Sequence, residues 1–163
     1  EFYSDPSEYE SDFMKYAKAS DMFITGHFFG NGAPYLFTRE DAKNPDFKIN
    51  LVADISCDID GPVACTIKAS TIGDPFYGYD PQTESETEYD AAGAITVMAV
   101  DNLPCELPKD ASEGFGEMFL ENVMPAFFNG DREGILERAQ ITTSDGKLTP
   151  RFAYLKDYVE IAD

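Results

Sequence analysis

Two stretches of this chain share one arrangement, and it constrains the fold more than any other feature. Ile95–Pro108 reads ITVMAVDNLPCELP, an apolar run that turns into an Asp-Asn-Leu-Pro corner and a second proline. Ile49–Pro62 reads INLVADISCDIDGP, again an apolar run with polar residues packed at its carboxyl end. Short, continuously apolar runs suit strands covered on both faces, as in parallel sheets. In open α/β sheets, ligands sit outside the carboxyl ends of such strands. Two aspartate-bearing strand ends therefore mark a candidate edge for binding a nucleotide or a substrate.

The rest of the composition fits a folded α/β chain. At 163 residues it is long enough to bury a core, and 43% hydrophobic content argues against disorder. No apolar run approaches the roughly 18 residues of a transmembrane helix. A net charge of −19 repels phosphate backbones and anionic lipid, which disfavours nucleic-acid and membrane partners. Screening over about 8 Å at physiological salt still lets a local site take an anionic cofactor. Cys57, Cys65 and Cys105 are odd in number and lack CxxC spacing, so free thiols in a reducing cytoplasm are expected. His27 is the sole histidine, which leaves a zinc site almost no ligands.

Along the chain, Ser4-Asp5-Pro6 reads as a helix start, and Tyr9, Phe13, Tyr16 and Ala17 share one helical face. Asp21–Thr25 reads as a strand leading into the glycine-rich loop GHFFGNGAP. Thr38 with Asp41 predicts a short capped helix stopped by Pro45. Ile49–Ile55, Val63–Ala69 and Ala94–Val100 read as strands, DPFYGYDP as turns, and Gln82–Asp90 as a solvated acidic loop. Asp110 or Ser112 caps a helix running to about Phe128, with Phe115, Met118, Phe119, Asn122, Val123, Ala126 and Phe127 as its inner stripe. Pro125 predicts a bend or break, and Gly130 an end. Ser144-Asp145-Gly146 reads as a tight turn, followed by a terminal helix carrying Phe152, Leu155 and Val159. The order of helices and buried strands predicts a parallel sheet with flanking helices.

Asp54 stands out because it lies within an apolar run, where an unpaired charge is costly. A partner or a ligand must account for it, and ligand contact is the favoured reading. Asp60, beside Gly61-Pro62, suits turn capping. Asp54, Asp58 and Asp60 also admit a two-carboxylate magnesium site. A calcium loop opening at Ser56 fails because its twelfth position is Ile67. GxGxxG, GxxxxGK[ST] and GxSxG are all absent, so the phosphate-binding turn of a dinucleotide fold is not in this sequence.

The motifs ADISCDIDGP, TIGDPFYGYDP and VMAVDNLPCELPKDAS resemble the lysine–2-oxoglutarate reductase and saccharopine dehydrogenase (lysine-forming) family. That family is related to alanine dehydrogenase and the transhydrogenase nucleotide domain. The resemblance runs from about Asp12 onward and implies an NAD- or NADP-dependent oxidoreductase acting on amino-acid C–N bonds. It implies a partial Rossmann-like sheet: residues 1–130 as the carboxyl-terminal part of the nucleotide domain, and residues 131–163 as a tail returning to an N-terminal catalytic domain. The glycine-rich turn and the acid–base residues would then lie upstream, in the missing part of the same enzyme.

By the same resemblance, Ala53 is a nucleotide contact, and Asp54, Ile55 and Ser56 face the substrate. Val100, Asp101, Asn102 and Leu103 form the loop under the nicotinamide ribose, and Asp58 matches an aspartate near the reacting carbon. The family often shows Ile-Tyr-Trp where this chain has His27-Phe28-Phe29. The tyrosine hydroxyl is thus lost, while Phe28 retains a ring for stacking on the cofactor. Competing readings are an alanine dehydrogenase-like enzyme, a non-catalytic acidic α/β interaction domain, and a magnesium-dependent enzyme. Apolar surface uncovered by truncation would also allow homo-oligomers.

Overall fold

A computed structural model describes residues 5–30 and 33–159. Ser4, and Asn31 and Gly32 of the glycine-rich loop, lie outside the described residues. The chain divides into two compact units, Glu1–Glu106 and Leu107–Asp163.

The first unit is built on a five-stranded sheet: β1 (Met22–Thr25), β2 (Leu51–Asp54), β3 (Phe76–Asp80), β4 (Ser85–Thr87) and β5 (Ile95–Met98), in the order β1-β2-β5-β3-β4. β1, β2 and β5 are parallel, as the apolar runs predict. β3 and β4 form a hairpin that adds antiparallel to β5, making the sheet mixed. Two expectations are corrected here. DPFYGYDP is strand and not turn, because Tyr77 and Tyr79 alternate with Phe76 and Gly78 and bury their rings. Val63–Ala69 is not a strand: Thr66 N–H bonds Val63 O and Ile67 N–H bonds Cys65 O, coiling the segment into turns.

Register explains which residues form the core. Phe23, Val52, Val97 and Tyr77 line up across one face of the sheet, and Ile24, Ala53, Met98 and Phe76 across the other. Val52 and Val97 are fully buried, whereas Ile24 is 62% and Phe76 45% exposed. The expectation of strands covered on both faces therefore holds for one face only. On the covered face, Phe13 meets Phe23 edge-on at 4.7 Å and stacks on Phe37 at 5.7 Å, and Phe37 packs on Phe47 at 5.1 Å. The expected N-terminal helix shrinks to a 3₁₀ turn at Pro6–Glu8 and a single turn, α1 (Met14–Ala17). α2 (Arg39–Ala42) opens with the predicted capping box: Thr38 Oγ1 accepts from Asp41 N–H, and Asp41 Oδ2 accepts from Thr38 N–H.

In the second unit, α3 (Pro108–Asn122) breaks at Val123 before α4 (Met124–Asn129), at the predicted proline. Gly130 closes α4 in the left-handed region at φ 74°. The Asp131 carboxylate then accepts N–H groups of Ile135, Leu136 and Glu137, capping α5 (Ile135–Ala139). Thr142 and Leu148 bridge around the predicted turn, and a 3₁₀ segment at Pro150–Leu155 leads into α6 (Lys156–Val159). The expected inner stripe is corrected: Ala126 is buried, but Phe115 is 72% and Met118 61% exposed. Within this unit the helices are short and no sheet is present among the described residues to cover that stripe.

Candidate functional site

β1, β2 and β5 run parallel and adjacent, so their carboxyl ends at Thr25, Asp54 and Met98 open onto one edge. The three loops leaving that edge are bonded to one another. Ile55 N–H donates to Thr25 O at 2.8 Å, and His27 N–H donates to Ser56 Oγ at 2.7 Å, joining the first loop to the second. Cys57 Sγ–H donates to Ala99 O at 3.2 Å, joining the second to the third. Ser70 braces the third loop from behind, its N–H donating to Ala99 O and its Oγ accepting from Ala99 N–H.

Asp54 is 1% exposed, and a protein donor meets each of its oxygens. Thr66 Oγ1 donates to Oδ2 at 2.7 Å, and Cys57 N–H donates to Oδ1 at 3.1 Å. Of the partner and the ligand that its burial demanded, a partner is present. Asp54 thereby fixes the start of the loop that carries Ile55, Ser56 and Asp58. That loop is strained: Cys57 and Asp60 take the left-handed conformation at φ 53° and 52°, which side-chain-bearing residues adopt at a cost, commonly near functional sites.

Burial pushes the Cys57 thiol up from its ordinary range, and the negative charges of Asp54, Asp101 and Asp58 push it further. With Cys57 Sγ–H bonded to Ala99 O, the two aspartate motifs meet at the edge. Ile55, Asp101 and Asn102 are exposed there, Ser56, Asp58 and Leu103 half-buried, and Val100 buried. Ala53 faces the half-open side of the sheet and Phe28 projects at 85% exposure. Asp60 turns away to pair with Arg39 at 2.9 Å. Among the described residues no group of three or more His, Cys, Asp or Glu is arranged to hold a metal ion.

Next to this edge is a cavity of about 720 Å³, lined by Phe13, Phe23, His27, Phe28, Phe29 and Tyr35 among others. Such a volume suits a small-molecule or cofactor fragment. The sequence reading missed the residues that hold the loops together: Thr66, Ser70 and the Thr25–His27–Ser56 cluster. Thr25 and His27 are two residues apart, but the other partners lie 12 to 29 residues away, where no local spacing announces them.

Fold and edge define an α/β, partial Rossmann-like domain whose parallel strands end in aspartate-bearing loops. No family model matches the chain. It is similar, at 27% identity over 184 residues, to alpha-aminoadipic semialdehyde synthase, mitochondrial, of Mus musculus, covering 93% of this chain and 20% of that protein. The alpha-aminoadipic semialdehyde synthase of Arabidopsis thaliana is 26% identical over 162 residues, covering 95% of this chain and 15% of its own length. Saccharopine dehydrogenase (NAD(+), L-lysine-forming) of Neurospora crassa is 27% identical over 108 residues, covering 64% and 27% respectively. Sequence likeness to the family suggested by the aspartate motifs is therefore shown along nearly the whole chain. The chain spans only 15 to 27% of the length of these relatives. All three cysteines are free, as expected. No helix among the described residues is long and apolar enough to cross a membrane.

Proposed function

We propose that this chain is the strand-end wall of the active-site cleft in an NAD- or NADP-dependent oxidoreductase of lysine metabolism. The reaction is hydride transfer between the nicotinamide and the carbon of an imine joining lysine to 2-oxoglutarate, with saccharopine as the reduced product. One observation carries the reading: the loops after β1, β2 and β5 converge on a single edge, with the two family-like motifs joined through Cys57. The relatives' names supply the reaction class, and the first of them is called mitochondrial, a compartment whose matrix also keeps thiols free.

The residues present fit the nicotinamide end of a dinucleotide. An aromatic-lined cavity of about 720 Å³ opens at the loop after β1, and exposed Asp101 and Asn102 follow β5, two strands along the same sheet edge. A buried imidazole nitrogen, His27 Nε2, is without a hydrogen-bond partner. The cofactor would be held by Ala53, Phe28 and Val100–Leu103, and when bound it supplies or accepts the hydride. Ile55, 51% exposed at the strand exit, gives that region an apolar surface that excludes water. Asp58 faces the developing positive charge of the imine and lowers its energy electrostatically. Ser56 orients substrate from the same loop, and Asp54 acts one step back, holding that loop in place. Residues 131–163 serve as the tail returning to the catalytic domain of the same enzyme, where proton donors reside.

The test is direct. The full-length protein should bind NADH or NADPH and consume it when lysine and 2-oxoglutarate are both supplied. Stable, folded protein that binds neither nucleotide would overturn the proposal and favour an acidic interaction domain.

A further inference from the structure

We infer that His27 binds ligand in this cleft, its Nε2–H donating to an anionic oxygen, either a carboxylate of the substrate or a phosphate of the dinucleotide. The inference rests on the oxidoreductase reading above and adds to it a residue that the family pattern does not supply.

The argument begins at the other ring nitrogen. Nδ1 lies 2.6 Å from Thr25 Oγ1 and 3.5 Å from Ser56 Oγ. Ser56 Oγ already accepts from His27 N–H at 2.7 Å, so its own proton remains to be directed elsewhere. Two hydroxyl groups therefore converge on Nδ1. With both hydroxyls donating, Nδ1 carries no proton and the neutral imidazole holds it on Nε2, the tautomer this role requires. Thr25 is 5% exposed and ends β1, while Ser56 follows β2, so the brace is anchored on adjacent strands. The imidazole is thus oriented by the sheet itself.

Nε2 is left buried and has no hydrogen-bond partner. Buried polar groups are nearly always paired, and an orphan at a strand-end cleft points to a group that arrives with the ligand. The ring borders the 720 Å³ cavity together with Thr25, Phe28, Phe29 and Tyr35. Anionic oxygen is the acceptor this donor suits best, because the surroundings are otherwise hostile to it. Asp54, Asp58 and Asp101 all act on neighbouring Cys57, and the chain carries a net charge of −19. A fixed N–H beside such a cleft offsets that field at one point and so selects where a carboxylate or phosphate can lie.

The experiment uses the full-length protein that carries this chain, labelled with [15N]histidine, the His27 signal being assigned by its loss in His27→Gln. Before ligand, the ring should show the Nε2–H tautomer. NADH is added first, then 2-oxoglutarate to the NADH-saturated protein, and the Nε2 resonance should move at one of these steps. By calorimetry, His27→Phe should weaken binding of that same ligand about tenfold or more, as loss of a charge-assisted hydrogen bond does. A response to NADH assigns the oxygen to the dinucleotide, and a response to 2-oxoglutarate assigns it to the substrate carboxylate. An Nδ1–H tautomer, or a resonance unmoved at saturation with both ligands, overturns the inference without need of any variant. Unchanged affinity of folded His27→Phe for both ligands overturns it equally. Should the wild-type protein bind neither ligand, the oxidoreductase reading itself falls, a result distinct from binding in which His27 is silent.

Discussion

Thr66 Oγ1 donates a 2.7 Å hydrogen bond to Asp54 Oδ2, linking the end of β2 to a turn twelve residues further on. Both residues are buried, Thr66 completely and Asp54 to within 1%. The bond lets a carboxylate sit inside an otherwise apolar layer. It also ties the loop carrying Ser56 and Asp58 to the turn beneath it, since Asp60 N–H in turn donates to Thr66 O at 2.9 Å.

Thr66→Val keeps the volume but leaves one oxygen of a buried carboxylate without its donor. Stability should fall by about 1.5–3 kcal/mol, the range for a hydrogen bond to a charged group. Thr66→Ser, which keeps the hydroxyl, should lose about 1 kcal/mol or less. Urea unfolding of the two variants checks this, and equal stability of Thr66→Val and wild type would remove the brace from the account.

Much of the parallel trio was legible because β2 and β5 are written as apolar runs that stop at aspartate. β3 was not, since the glycine, prolines and aspartates of DPFYGYDP look like punctuation. Its alternating tyrosines gain their meaning only when paired with β5. Val63–Ala69 misled in the opposite sense: its apolar residues are core, but they reach the core through turns. At the edge, the motif residues could be named from sequence. The bonds that assemble them could not, because Thr66–Asp54, His27–Ser56 and Cys57–Ala99 span 12, 29 and 42 residues.

Stability should be insensitive to pH, as far as the core thiols and phenols are concerned, up to about pH 9, and decline above it. Burial raises the Cys57 and Cys65 thiols above their ordinary 9.0 and the Tyr77 phenol above its ordinary 10.0. The unfolded chain therefore releases these protons first. It then binds fewer protons than the native state, and the free energy of unfolding falls as pH rises. Melting temperatures across the alkaline range test the sign. In Cys65→Ala the decline above about pH 9 should be shallower, since only the Cys57 thiol then contributes below the phenol range, whatever the variant's stability at neutral pH.

Gly78 pairs with Thr87 and Thr96 in the middle of the hairpin that widens the sheet. A methyl group there would run into the Glu88 carbonyl, whose carbon would lie only 2.7 Å away, and into Thr87 Cγ2 at 2.9 Å. Thr87 is held by the β3–β4 pairing, and the Glu88 carbonyl belongs to the backbone just after β4, where it accepts Ala91 N–H at 3.0 Å, so the strand and the turn behind it must shift. Gly78→Ala should cost about 2–3 kcal/mol, at the upper end for overpacking. A melting temperature within a degree of wild type would show that the hairpin yields more easily than its register implies.

Asn102 offers the cleanest probe of the cleft. It is exposed, and its backbone carbonyl accepts Cys105 N–H at 2.9 Å, a bond that does not depend on the side chain. Exposed substitutions of this kind normally shift stability by no more than about 0.5 kcal/mol. A change in nucleotide affinity in Asn102→Ala therefore reports contact with the ligand and not damage to the fold. If Val100–Leu103 carries the cofactor as proposed, Kd for NADH or NADPH should rise about tenfold by fluorescence titration, with the melting temperature held. The Ser70 brace on Ala99 keeps the backbone of that loop in place in the variant. Wild-type affinity in Asn102→Ala, together with wild-type affinity in Asp101→Asn, would place the nucleotide away from this loop and leave the strand-end edge to the substrate alone.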